Sequence, residues 1–171
     1  MALKLIIVVG YSGAGKTTLS GIVAKECDFL VLSEDEFVFD MIPHTLIKRA
    51  LRPEDRALGM KNLWGCMENG LKSGKSVIVE GALVDGPFVL EDYKKLARRY
   101  QADFVPILLC GAASVRRIRG IKRGYAVTSA QDKRLMACAK KLGYFENCAV
   151  IDTTKISRKR AVAEIKRIAG I

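Results

Sequence analysis

Histidine is almost missing from this chain: His44 stands alone among 171 residues. A multi-histidine metal centre is therefore excluded, and no Ser or Cys nucleophile pattern sits beside that one imidazole. The five cysteines (Cys27, Cys66, Cys110, Cys138 and Cys148) include no C-x-x-C pair, which leaves neither a zinc ribbon nor a dithiol redox motif. An odd, scattered set reads as buried, reduced thiols in a cytoplasmic protein. Long apolar runs are lacking too. The run near the N-terminus reaches only about seven residues, against the roughly 20 that a helix needs to cross a bilayer, so no membrane partner is expected. Lys4 is followed at once by strand-like sequence, so no secretory leader is expected. There is no internal repeat, low-complexity tract or long linker, and a single domain over residues 1–171 is expected.

Acidic residues are scarce in the second half. Residues 1–93 carry 10 Lys/Arg against 13 Asp/Glu, whereas residues 94–171 carry 19 against 5. A basic half of this size implies an anionic partner: nucleotide, nucleic acid or both. Part of that charge (Lys94, Lys95, Arg98 and Arg99, then Arg158, Lys159 and Arg160) reads equally as solvated helix faces.

What is present is more specific. Gly10 to Thr17 read G-Y-S-G-A-G-K-T, matching the phosphate-binding loop pattern G-x-x-x-x-G-K-[ST]. An apolar run, Leu5–Val9, precedes it, and a helix-compatible stretch, Thr18–Glu26, follows. Gly10, Gly13 and Gly15, with Ser12 and Ala14, let backbone N–H groups curl around phosphate oxygens. The helix N-terminus, entered through Thr17 and Thr18, adds partial positive charge. Lys16 reaches the β- and γ-phosphates of ATP, and the Thr17 hydroxyl is a ligand for Mg²⁺.

Apolar runs at Lys4–Val9, Phe29–Leu32, Ser76–Val79, Phe104–Leu109 and Ala149–Ile151 are the predicted strands. Helical patterns separate them. One opens at Pro53-Glu54-Asp55, with Leu58, Leu63, Trp64 and Met67 as its buried stripe and Gly70 as its stop. Another begins at Gly86-Pro87 and buries Val89, Tyr93, Leu96, Ala97 and Tyr100; the rest cover Ala113–Lys122, Ser129–Leu142 and Ser157–Ile168. This alternation predicts an α/β fold: a five-stranded parallel sheet sandwiched by helices. Ligands of such sheets bind at the carboxyl ends of the strands.

Each strand end therefore merits a reading. Ser33-Glu34-Asp35-Glu36 follows the second strand; Ser33 and Glu36 fit a capping box, which leaves Asp35 to accept a proton from a substrate hydroxyl, with Glu34 and Asp40 in reserve. Glu80 ends the third strand, where a carboxylate holds Mg²⁺ in nucleotide-binding folds; Asp85 is the second candidate. After the fourth strand, Arg116, Arg117, Arg119, Lys122 and Arg123 place five cations in eight positions. Cations so dense repel one another on a bare helix face. Between Gly120 and Gly124 they suggest a short basic lid over residues 116–128, from which Arg119 or Arg123 contacts nucleotide phosphate. After the fifth strand, Asp152-Thr153-Thr154 either borders the adenine ring or simply enters a helix.

With loop, acid and basic segment in this order, residues 3–145 resemble small P-loop kinases, above all the kinase domain of phage-type polynucleotide kinases. The resemblance rests on Gly10–Thr17, on residues 33–36, on Gly74-Lys75-Ser76-Val77-Ile78-Val79 and on Arg117–Gly124. It implies an adenylate-kinase-like domain with a lid, Asp35 as general base and Arg123 on ATP. The chain departs from that family where R-D-D-x-R is expected, with Glu34 and Val38 replacing the arginines, and at Glu80-Gly81-Ala82, which stands for D-T-N. The stretch Asp35-x-Phe37-x-x-x-Met41-x-Pro43 is also similar to chloramphenicol phosphotransferases, which act on a small-molecule hydroxyl. Together these readings predict γ-phosphate transfer from ATP·Mg²⁺ to a hydroxyl on a polynucleotide, a nucleotide or a small molecule. A nucleic-acid-linked ATPase without such an acceptor is the other class. A GTPase is disfavoured, because neither N-K-x-D nor a D-x-x-G after the third strand occurs.

Overall fold

The computed structural model describes residues 2–40, 53–81, 89–122, 124 and 129–171. Five parallel strands form one sheet: β1 (Lys4–Gly10), β2 (Leu30–Ser33), β3 (Val77–Gly81), β4 (Asp103–Cys110) and β5 (Ala149–Asp152), in the order β2-β3-β1-β4-β5. Seven α-helices lie among the described residues: α1 (Lys16–Cys27), α2 (Pro53–Lys72), α3 (Leu90–Arg99), α4 (Ala113–Ile121), α5 (Ser129–Lys141), α6 (Tyr144–Asn147) and α7 (Arg158–Ala169). One turn of π-helix (Glu36–Asp40) follows β2. None of the described helices is long and apolar enough to cross a membrane.

The continuous apolar strands are explained by helices on both faces. Alternate residues of β1 point opposite ways. Leu5, Ile7 and Val9 join Val77, Val79 and Leu108 against Met60, Leu63 and Met67 of α2 and Tyr93 and Leu96 of α3. Ile6 and Val8 join Ile78, Ile107, Leu109 and Ile151 against Leu19 and Val23 of α1 and Val162 and Ile165 of α7. Full burial of one such side chain stabilises the fold by about 1.5–3 kcal/mol, so the central strand is fixed from both sides.

Several local expectations change. Gly70 does not stop α2; it lies inside the helix, where a Cβ would come within 2.9 Å of Leu30 and Val77. It is a close-packing glycine, and the chain turns at Gly74, whose φ is +79°. Leu58 is 57 % exposed, and Met60 and Leu71 take its place in the stripe. Val89 lies outside α3 as its N-cap and is exposed, while Leu90 is buried. Of the five cysteines only Cys148 is buried; the others are half-buried, and all five are free thiols. Burial pushes the Cys148 thiol up to about 12.

Candidate functional site

The strand ends converge on one edge of the sheet. Ser33 pairs with Glu80 across β2 and β3, Val8 pairs with Glu80 across β1 and β3, and Cys110 pairs with Asp152 across β4 and β5. The segments after these positions are therefore neighbours: Gly10–Thr17, Glu34–Asp35, Gly111–Ala112 and Thr153–Thr154.

The loop after β1 closes on itself through a hydrogen bond from the Ala14 N–H to the Tyr11 carbonyl, at 3.1 Å. Gly15, at φ +102°, is the N-cap of α1 and offers no side chain to it. The leading N–H groups of a helix so capped are available to an anion. Gly13 is required on two counts. Its φ is +76°, and a Cβ there would meet the Arg116 carbonyl at 2.6 Å. Lys16 donates from Nζ to the Tyr11 carbonyl at 3.4 Å, folding back along the loop.

Glu80 is the buried carboxylate of the site. The Thr17 hydroxyl donates to its Oε1 at 3.1 Å, and the Ser33 hydroxyl is hydrogen-bonded to it as well. Burial raises the Glu80 pKa; the Ser33 hydrogen bond, the Lys16 charge and the Thr17 hydrogen bond oppose the shift, and the Asp35 charge adds to it. Hence Asp35 lies within electrostatic reach of Glu80. The folded state holds the Glu80 proton more tightly than the unfolded chain does. This group's contribution to stability is thus full below the unfolded pKa and lost as pH rises through the folded value. Glu80→Gln is accordingly expected to raise the thermal midpoint of the ligand-free protein at pH 7. The gain should shrink as pH approaches 4.5, the ordinary glutamate value. Calorimetry at both pH values checks this, and identical midpoints at pH 7 would count against it.

The adjacent acids differ sharply. Glu34 is 1 % exposed and accepts an ion pair from Arg56 Nη2 of α2 at 2.6 Å, whereas Asp35 is exposed. Glu34 is thus tied to α2, while Asp35 and Glu36 are both presented to solvent. Asp85, His44 and Arg123 lie outside the described residues, as does the side chain of Asp40.

On the other side of the loop lies a cavity of about 310 Å³, lined by Gly13, Gly15, Thr18, Leu19, Arg119, Lys122, Thr153, Ile156, Arg158 and Ala161. Thr153 is buried; its hydroxyl donates toward the Ala14 carbonyl at 3.0 Å and the Cys110 carbonyl at 2.9 Å. Arg119 donates from Nη1 to the Thr153 hydroxyl at 3.0 Å and from Nη2 to the Thr153 carbonyl at 2.8 Å. Its guanidinium therefore flanks the cavity wall. Arg158, which the sequence offers as a solvated helix residue, also lines this space. Lys122 belongs to the basic cluster read from the sequence, whereas Ile156 and Ala161 are not found by sequence reading, since nothing local marks them. The position of Thr153 just past a strand end is the one available signal. No cluster of three or more His, Cys, Asp or Glu poised for a metal occurs among the described residues.

A family model described as an AAA domain matches residues 5–148. The chain belongs to that family. The match covers β2, β3, β4 and all but the first residue of β1, together with the loop, Asp35, Glu80 and α4, and it stops just before β5. Comparison with functionally curated proteins gives no significant match. Among solved structures, a sugar kinase from a Janibacter species superposes with a TM-score of 0.68 at 21 % identity, covering 99 % of this chain and 95 % of that one. A tunicamycin resistance protein from Deinococcus radiodurans gives 0.68 at 13 % identity, covering 99 % and 96 %. Shikimate kinase from Acinetobacter baumannii, in complex with shikimate, gives 0.60 at 16 % identity, covering 97 % and 92 %. This AAA-domain chain thus has the P-loop kinase fold, with the parallel sheet and flanking helices of those neighbours.

Proposed function

We propose that the protein is an ATP-dependent phosphotransferase acting on the hydroxyl of a small molecule. One observation carries the reading: the phosphate loop, the buried Glu80 and the exposed Asp35 meet at adjacent strand ends, with Thr17 bonded to Glu80. An exposed acid beside that pair is placed to take the proton of an attacking hydroxyl. In this reading, Lys16 and the N–H groups of Gly13 and of Gly15–Thr18 hold the phosphates of ATP, while the Ala14 N–H closes the loop on Tyr11. Arg119 flanks the base in the cavity beside Thr153, and Arg123 is assigned to the γ-phosphate. Asp35 orients the acceptor hydroxyl and removes its proton.

The Thr17 hydroxyl and the Glu80 carboxylate fit Mg²⁺, being hard oxygen donors 3.1 Å apart with a buried acid that a cation would neutralise. When bound, Mg²⁺ neutralises charge on the phosphate oxygens. Two protein donors leave the other coordination positions of such an ion to phosphate oxygens and water.

The placement of charge favours a small acceptor over a polynucleotide. The basic half supplies α4 and α7, whose Arg119, Arg158 and Ala161 line the cavity, while Asp35 belongs to the half with net acid. The sugar kinase and shikimate kinase neighbours carry small-molecule names. The test is transfer of labelled γ-phosphate to a panel of sugars, hydroxy acids, nucleosides and 5′-hydroxyl oligonucleotides. Transfer to one of the small molecules is expected. Transfer confined to oligonucleotides, with binding that weakens steeply with salt, would establish the polynucleotide reading instead. ATP hydrolysis at full rate without any acceptor would remove the kinase assignment.

A further inference from the structure

Arg116 is one of the five cations read from the sequence as lid residues, yet its side chain is only 6 % exposed. Nothing in the proposed reaction uses it. Its guanidinium is fully engaged with the protein. Nε donates to the Gly111 carbonyl at 2.7 Å, and Nη1 donates to the Ser12 carbonyl at 3.3 Å. Nη1 and Nη2 grip the two carboxylate oxygens of Asp132 on α5 at 2.7 and 2.8 Å. The flat face lies over the Tyr11 ring, 4.8 Å from its centroid, and the Tyr11 hydroxyl contacts the Met136 sulfur of α5 at 3.0 Å. The main chain of Arg116 is the surface on which Gly13 rests.

These contacts act on the outer side of the phosphate loop. In a planar trans peptide, the carbonyl of one residue and the N–H of the next point in opposite directions. A donor that fixes the Ser12 carbonyl therefore fixes the Gly13 N–H on the other side of the same plane. One turn further along α4, Arg119 Nη1 lies 3.4 Å from the Gly13 carbonyl and braces the next peptide, whose Ala14 N–H is held by the Tyr11 carbonyl. An anion site built from N–H groups depends on their common direction. Asp132 supplies the counter-charge that makes a buried guanidinium tolerable at this place.

We propose that Arg116, held by Asp132, is a positioning residue that sets the phosphate loop in its anion-binding conformation by clamping the Ser12 carbonyl from behind. The inference rests on reading the loop as a nucleotide site, and it gives α5 a share in nucleotide affinity without any contact to nucleotide. It also separates affinity from stability, because replacing both members of a buried ion pair by apolar residues is often close to neutral for folding.

The experiment measures the dissociation constant of ATP·Mg²⁺ by titration calorimetry, with thermal midpoints alongside, on the full chain. The Arg116→Leu/Asp132→Leu double variant is expected to keep a midpoint near wild type and to bind ATP roughly tenfold more weakly. Arg116→Lys retains a cation but cannot grip Asp132 bidentately while reaching Ser12. It is expected to fold and to lose affinity by several fold, which preserves the test should the double variant not fold. In turnover, KM for ATP should rise more than kcat falls, since the clamp acts on binding. Wild-type ATP affinity in either folded variant would overturn the proposal while leaving the site reading intact. Failure of the unmodified protein to bind any nucleoside triphosphate would instead defeat the site reading on which it rests.

Discussion

Replacing Asp35 with alanine is expected to lower phosphoryl transfer by roughly 10²–10⁴-fold, the usual worth of a general base, while leaving ATP affinity nearly unchanged. The split follows from where the residue stands. Asp35 is two positions beyond the Ser33–Glu80 pair, so it faces the reacting end of the nucleotide rather than its base. It is exposed, so its removal opens no core cavity and the thermal midpoint should hold. Its charge is felt at Glu80, which places it beside the acid assigned to the metal. Asp35→Asn should show the same loss, because the amide keeps the shape and lacks the basicity. Steady-state transfer to the best acceptor, with ATP binding measured separately, is the assay. Near-wild-type turnover in both variants would take the proton-accepting role from this residue.

Glu34→Ala should have the opposite profile: a large loss of stability. Its carboxylate is 2 % exposed, and its partner, the Arg56 guanidinium, is 23 % exposed. Breaking a buried pair by deleting one partner costs about 3–5 kcal/mol. The partial exposure of Arg56 points to the lower end of that range. For a domain of this size, about 3 kcal/mol corresponds to a fall of roughly 6–12 °C in thermal midpoint. The same pair links the end of β2 to the first turn of α2, and a Cβ at Gly81 would overlap the Glu34 carboxylate. Loss of Glu34 thus loosens the join between β2, β3 and α2 on which Asp35 is mounted. Scanning calorimetry checks the expectation; a midpoint within 2 °C of wild type would refute it.

The sheet was legible because its strands are buried on both faces and read as unbroken apolar runs. Each was found within two residues of its end. The phosphate loop was legible because the geometry needs fixed residue types at fixed spacing. What stayed hidden depends on contacts distant in sequence. Gly70 looks like a helix stop, yet it is small because Leu30 and Val77 press on it. Leu58 fits the apolar period of α2, but the helix turns it to solvent and buries Met60. Arg116 looks like one more lid cation; its burial is set by Asp132, 16 positions away on α5. The acids after β2 are told apart on two different grounds. Sequence sets Asp35 apart from Glu36 by a capping pattern, and the structure sets it apart from Glu34 by burial, with Glu34 facing α2.

The strand order carries a consequence for how such a protein can change over time. With β1 central, β2 and β3 lie to one side and β4 and β5 to the other. The two sides nevertheless share a core: Tyr144 and Cys148, just ahead of β5, belong to the same buried cluster as Met60, Leu63 and Val79. Substitutions on one edge of the sheet are therefore felt on the other through that cluster. Chimeras joined between β3 and α3 should lose thermal stability unless Tyr144 and its partners are exchanged together.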